Sequence, residues 1–142
     1  MKDRFETFTI LINRINRNIK KIKNKEMEAY NLRPIHTTCL YYIYLNPNIT
    51  ASKLYHKIEE DKALVSRALE YLQENGYLVA DDIDNKKYRY PLVLSEKGEE
   101  VAKQIVTTVN SILDEVGLNF NERATFIAQL NEISIKLENV LK

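Results

Sequence analysis

The segment that most constrains this chain runs from Asp61 to Gly98, DKALVSRALEYLQENGYLVADDIDNKKYRYPLVLSEKG. Leu64, Val65, Ala68, Leu69 and Leu72 recur at three- and four-residue spacing. That period predicts a helix over 61–75 with one face on a core and Asn75-Gly76 as its stop. The opposite face carries Lys62, Ser66 and Arg67 at its start and Glu70 and Glu74 at its end. Tyr77 to Asp82 and Tyr88 to Leu94, rich in aromatic and β-branched residues, flank a polar tip, Ile83-Asp84-Asn85-Lys86-Lys87. A two-stranded hairpin is therefore expected directly after the helix. Taken alone the tip also fits an ordinary exposed hairpin, because Asp81, Asp82 and Asp84 nearly cancel its cations.

Upstream, Thr50 is placed to cap a short helix with Ala51, Leu54, Tyr55 and Ile58 inward, and Asn48-Ile49 has room for a short strand before it. Glu59-Glu60 make a turn, and Asp61 caps the next helix by accepting free amide hydrogens of its first turn. Two short helices joined by a tight turn, the second with an exposed polar leading edge, form a helix-turn-helix. Followed by a hairpin, they form a winged helix. Such a helix presents its N-terminal half to DNA, and a tip bearing Lys86, Lys87 and Arg89 reaches phosphates or a minor groove.

The flanks are long amphipathic helices. Phe5, Phe8, Ile12, Ile15, Ile19 and Ile22 form one stripe, with Leu11 beside it. The other side holds Asn13, Arg14, Arg17, Lys20 and Lys21, and the run from Arg14 to Lys25, which adds Lys23 and Lys25, carries no acid. Pro34 opens a second helix, which holds His36, Cys39, Leu40 and Ile43 and ends near Asn46-Pro47. Ser95 caps a fifth with a stripe at Val101, Ile105, Val109, Ile112 and Val116, closed by Gly117. Asn119 with Glu122 gives a capping-box-like start to the last, whose stripe is Ala124, Ile127, Leu130, Ile133 or Ser134, Leu137 and Leu141. Long apolar stripes beside a small core call for a partner, so a homodimer is expected.

Composition narrows the function. A chain of 142 residues, 44% hydrophobic and 29% charged, has the balance of a folded domain. No apolar run approaches the ~18 residues of a membrane span and no secretory signal is evident, so a cytoplasmic protein is expected. The single cysteine fits a reducing compartment. Net charge is only +1, so nucleic-acid binding must rest on how charge is distributed. His36 and Cys39 share a helical face, but two ligands do not make a metal site. No nucleophile elbow, phosphate loop or paired-acid signature occurs, so neither catalysis nor a cofactor is expected.

Four blocks, Leu32 through Thr50 (LRPIHTTCLYYIYLNPNIT), Asp61-Lys62 with Val65-Ser66-Arg67, the ending Leu72 to Gly76, and Leu94-Ser95-Glu96-Lys97-Gly98, resemble the MarR family of bacterial transcriptional regulators. The resemblance spans nearly the whole chain. It implies a mainly α fold with a small β-hairpin wing: a dimerisation helix in 1–31, a winged helix-turn-helix in 32–98, and dimerisation helices in 99–142. It also implies a homodimer on pseudo-palindromic operators, most simply a repressor. The expected DNA contacts are Lys53, Lys62, Ser66, Arg67, Lys86, Lys87 and Arg89. Arg67 suits guanine, a phosphate, or an internal ion pair with Glu70 or Glu74. The family is usually controlled by a small anionic or phenolic effector, for which Tyr30, His36, Tyr41 and Tyr42 are candidate lining groups and Arg17 or Lys21 candidate anion holders. Tyrosines at this spacing equally suit core packing.

Departures from the family pattern bear on contact detail. Asp84-Asn85-Lys86-Lys87 stands where an Asp-x-Arg-Arg-like wing is usual, and lysine lacks the planar fork that suits a narrow groove. Lys53 stands where relatives often carry an acid. The peroxide-sensing branch places its cysteine in the first helix, where this chain has none. A second reading is a protein-interaction module or anti-regulator that keeps the winged fold with little DNA affinity.

Overall fold

Side chains that end helices account for most of the element boundaries. The computed structural model describes residues 3–58, 60–79 and 91–142. These form α1 (Arg4–Met27), a short 3-10 helix (Glu28–Tyr30), α2 (Pro34–Leu45), α3 (Ala51–Lys57), α4 (Lys62–Glu74), α5 (Glu96–Glu115) and α6 (Ala124–Val140). Asp3 accepts the amide of Glu6 at 3.1 Å, Thr50 that of Lys53 at 3.3 Å, and Asp61 that of Ala63 at 3.4 Å. Ser95 Oγ accepts the amide of Gly98 at 3.0 Å and so caps α5.

Two helices end by the same device. After α4, Gly76 takes φ +82, its amide bonds the Gln73 carbonyl at 3.2 Å, and the Tyr77 amide bonds that of Leu72 at 2.8 Å. After α5, Gly117 takes φ +77, with Gly117 bonded to Asp114 at 3.1 Å and Leu118 to Leu113 at 2.7 Å. Both are Schellman motifs, which need a left-handed residue that glycine adopts without strain.

The start of α6 departs from expectation. It begins at Ala124 behind Arg123, not at a cap on Asn119. The Asn119 side chain instead accepts the amide of Asn121 at 2.9 Å, closing a local turn, and is no longer available to cap a helix.

The chain divides into two compact units, Met1–Ile105 and Val106–Lys142. In the first, α2 packs against α1, α3 and α4. Leu40, Leu54, Leu72, Ile105, Val65 and Cys39 are its most fully buried side chains, with Leu32, Ile43, Ile58, Ala68 and Val101 around them. Each buried aliphatic of this size contributes about 1.5–3 kcal/mol relative to exposure. Among the described residues backbone pairing is limited to isolated antiparallel bridges, Leu78 with Leu94 and Thr50 with Pro91. The Val79 amide bonds the Val93 carbonyl at 2.8 Å, and Leu92 bonds Ile49 at 2.8 Å. The short strand expected at Asn48-Ile49 is thus a single bridge at Thr50. The expected hairpin tip, residues 83–89 with Lys86, Lys87 and Arg89, lies outside the described residues.

The long apolar stripes remain open on this chain. Phe5 is 77% exposed and Ile15 53% on α1, and no residue of α6 is buried. No helix among the described residues is long and apolar enough to cross a membrane.

Candidate nucleic-acid interface

Helix α4 is held from one side and open on the other. Val65, Ala68 and Leu72 are buried, Leu64, Ser66 and Leu69 half-buried, and Lys62, Arg67, Glu70 and Glu74 exposed. Of the sequence-expected contacts, Lys62 and Arg67 stand on the outer face, while Ser66 is turned partly inward. Lys62 Nζ lies 5.4 Å from the centroid of the Tyr55 ring, a cation–π contact that joins the start of α4 to α3. Lys53 is exposed in the first turn of α3, and His56 and Lys57 are exposed in its last. Sequence reasoning passed over Lys57, though a cation in a last helical turn is a recognisable signal. Among the described residues no ion pair joins Arg67 to Glu70 or Glu74; the pairs present are Lys103–Glu99 at 3.6 Å and Lys136–Glu132 at 2.7 Å. The internal-pair alternative for Arg67 therefore does not occur in this conformation.

The far end of α4 is clamped to the start of α5. Lys97 Nζ donates to the Asn75 carbonyl at 3.0 Å and lies 4.3 Å from the Tyr77 ring centroid. Ser95 Oγ donates to the Gly76 carbonyl at 2.5 Å. These groups satisfy carbonyls that the helix end leaves unpaired.

A cavity of about 640 Å³ opens beside α4, lined chiefly by Arg33, His36, Arg67 and Tyr71, with Asn24, Glu28 and Asn31 at its edge. Among the sequence-expected effector residues only His36 lines it. Arg17 and Lys21 are exposed on α1; Tyr41 and Tyr42 are half-buried and meet edge-to-face at 5.5 Å. The Tyr30 hydroxyl bonds the side chain of Gln104, and the Tyr30 carbonyl accepts the Tyr77 hydroxyl at 3.3 Å. Arg33 and Tyr71 were not foreseen as lining groups. Tyr71 follows Arg67 by one helical turn, which was the available signal.

The chemistry is that of a cationic, planar-ring recess. His36 Nδ1 accepts the Arg33 amide at 3.0 Å and its ring stacks on Tyr71 at 4.2 Å. Burial, then the Arg33 charge, lowers the His36 pKa from 6.5. On the far side of α2, Lys23 Nζ donates to Thr38 Oγ1 at 3.2 Å, and burial lowers its pKa despite the opposing charge of Glu60. Burial pushes the Cys39 thiol up to about 12, so it is a packing group at neutral pH. No group of three side chains suited to a metal occurs among the described residues.

No family model matches the chain. A MarR protein from Peptoclostridium difficile superposes with a TM-score of 0.80 over 98% of this chain and 92% of that one, at 24% identity. The fold is that of the MarR family regulators. The Staphylococcus aureus MepR–DNA complex has a TM-score of 0.76 at 15% identity, covering 91% of this chain and 97% of that one. Staphylococcus aureus MarR in complex with salicylate and kanamycin also has a TM-score of 0.76, at 22% identity over 92% and 91%. In sequence, the HTH-type transcriptional regulator BilQ of Clostridioides difficile is 28% identical over 101 residues, 71% of this chain and 68% of that protein. Helices α3 (Ala51–Lys57) and α4 (Lys62–Glu74) fall on the two successive helices that the sequence leads one to expect.

Proposed function

We propose that this protein is a DNA-binding transcriptional regulator, most simply a repressor, acting as a homodimer. The observation that carries the reading is the outer face of α4, capped by Asp61 and presenting exposed Lys62 and Arg67, with Lys53 and Lys57 exposed on α3. Support comes from the MarR fold and from relatives that include a DNA complex and a transcriptional regulator.

Two α4 helices related by a twofold axis enter successive major grooves about 34 Å apart. Arg67 takes a guanine edge or a phosphate; Lys53, Lys57 and Lys62 position the protein on phosphates. The residue 83–89 segment acts as a wing, with Lys86, Lys87 and Arg89 on the backbone or in the minor groove. The open apolar faces of α1 and α6, with the rest of 1–31 and 99–142, make the dimer. Alanine at Lys62 and Arg67 together tests this: a regulator loses operator binding in a gel shift while the dimer persists in sedimentation. Unchanged DNA binding would favour the interaction-module reading.

The cavity beside α4 is the effector site in this scheme. Arg67 belongs both to its wall and to the outer face, so an aromatic acid seated against Arg33, Arg67 and Tyr71 competes with DNA for the same guanidinium. That a MarR relative was solved with salicylate supports the choice of ligand class. Thermal-shift screening with aromatic acids, metals and oxidants tests it. The expected result is a raised Tm with aromatic acids that Arg33→Ala abolishes; no response to any compound would remove the sensor role.

A further inference from the structure

We propose that His36 and Tyr71 form a proton-released clamp that holds α4 in its DNA-reading pose; the inference rests on α4 being the DNA-reading helix. His36 is the third residue of α2, and its Nδ1 accepts the backbone amide of Arg33 at 3.0 Å. The neutral ring therefore carries its hydrogen on Nε2. One face of that ring stacks on Tyr71 of α4, centroids 4.2 Å apart and planes 14° from parallel. The Tyr71 hydroxyl donates to the carbonyl of Asn31 at 2.9 Å. Asn31 is itself fixed, in the left-handed region at φ 57, with its amide on the Glu28 carbonyl at 3.1 Å. A single tyrosine of α4 is thus held on its face by α2 and at its tip by the turn before α2. Arg67 lies one helical turn earlier on α4 and lines the same cavity.

Protonation opposes every part of this arrangement. A hydrogen on Nδ1 meets the Arg33 amide hydrogen, so the cap becomes donor against donor. The new cation sits in the first turn of α2, where the helix dipole is positive. The polar groups that line the cavity with it are Arg33 from its own segment, Arg67 and Tyr71 from α4, Glu28 from the 3-10 helix and Asn24 from α1. Arg33 is the charge that acts on it, and His36 is 7% exposed. The imidazolium relieves these conflicts by turning toward water, which breaks the stack and frees Tyr71. The sign follows from linkage: with the folded pKa below 6.5, the clamp is intact above that value and is lost as pH falls through the folded one. Mild acidification releases α4, with no small molecule required.

The test uses the full chain and a duplex from the region upstream of its own gene, with anisotropy titrations from neutral to mildly acidic pH at constant ionic strength. Wild type is expected to lose affinity about five- to tenfold on acidification, the scale of one lost hydrogen bond. His36→Gln, which keeps an acceptor without titrating, should stay nearly flat. In parallel, NMR of wild type should show His36 titrating below 6.5 with the Tyr71 ring signals moving on the same curve. An identical acid response in His36→Gln, or a His36 titration that leaves Tyr71 unmoved, overturns the clamp. Absence of DNA binding at every pH counts against the regulator reading instead, and the NMR titration alone then decides the clamp.

Discussion

Gly98 lies where the start of α5 crosses the backbone at Tyr77. A Cβ there would overlap the Tyr77 carbonyl oxygen and come within 2.9 Å of its carbon. Gly98→Ala is expected to lower stability by about 1–3 kcal/mol, because backbone rather than a flexible side chain must give way. A fall of several degrees in Tm is the readout, and an unchanged Tm would contradict the close approach. Cys39 makes the opposite case, a residue whose chemistry the fold silences. Buried and held as a thiol, it should react slowly with maleimide in native protein and rapidly in denaturant; fast native labelling would contradict its placement. At this scale the sequence showed the caps well, because Thr50, Asp61 and Ser95 act within three residues of themselves. It did not show that Arg33, His36, Arg67 and Tyr71 share a cavity, since that depends on how α2 crosses α4. His36 is engaged in a helix cap and a stack, and Cys39 lies in the core.

Among elements, α1 and α6 share an unsatisfied requirement. An apolar stripe running the length of a helix and left in water is costly, and Ile19 and Leu137 stand 45% and 54% exposed. If a second copy covers these faces, Ile19→Glu should convert the dimer to monomer in sedimentation velocity while circular dichroism keeps its helical signal. A wild-type monomer at micromolar concentration would contradict the reading. Helix periodicity was legible from end to end because each stripe repeats every three or four residues. The start of α6 was not, since Asn119 and Glu122 carry a capping signature that the Asn119–Asn121 turn uses first. The expected hairpin is not confirmed: among the described residues pairing is limited to single bridges at Leu78–Leu94 and Thr50–Pro91, and its tip lies outside them.

For the whole molecule, charge nearly cancels in total, so binding to a polyanion rests on where the exposed cations lie. Lys53 and Lys57 are exposed on α3 and Lys62 and Arg67 on α4, with Glu70 and Glu74 exposed further along α4. Such a surface binds a polyanion by releasing counterions, so its affinity must fall steeply with salt. The most direct test is therefore the affinity of the full chain for a duplex from upstream of its own gene, measured by anisotropy across a salt series. Binding at low salt that weakens log-linearly with salt, with Arg67→Ala costing about 1–3 kcal/mol at every point, is the predicted result. No binding at low salt, or binding that neither salt nor Arg67→Ala alters, would contradict it.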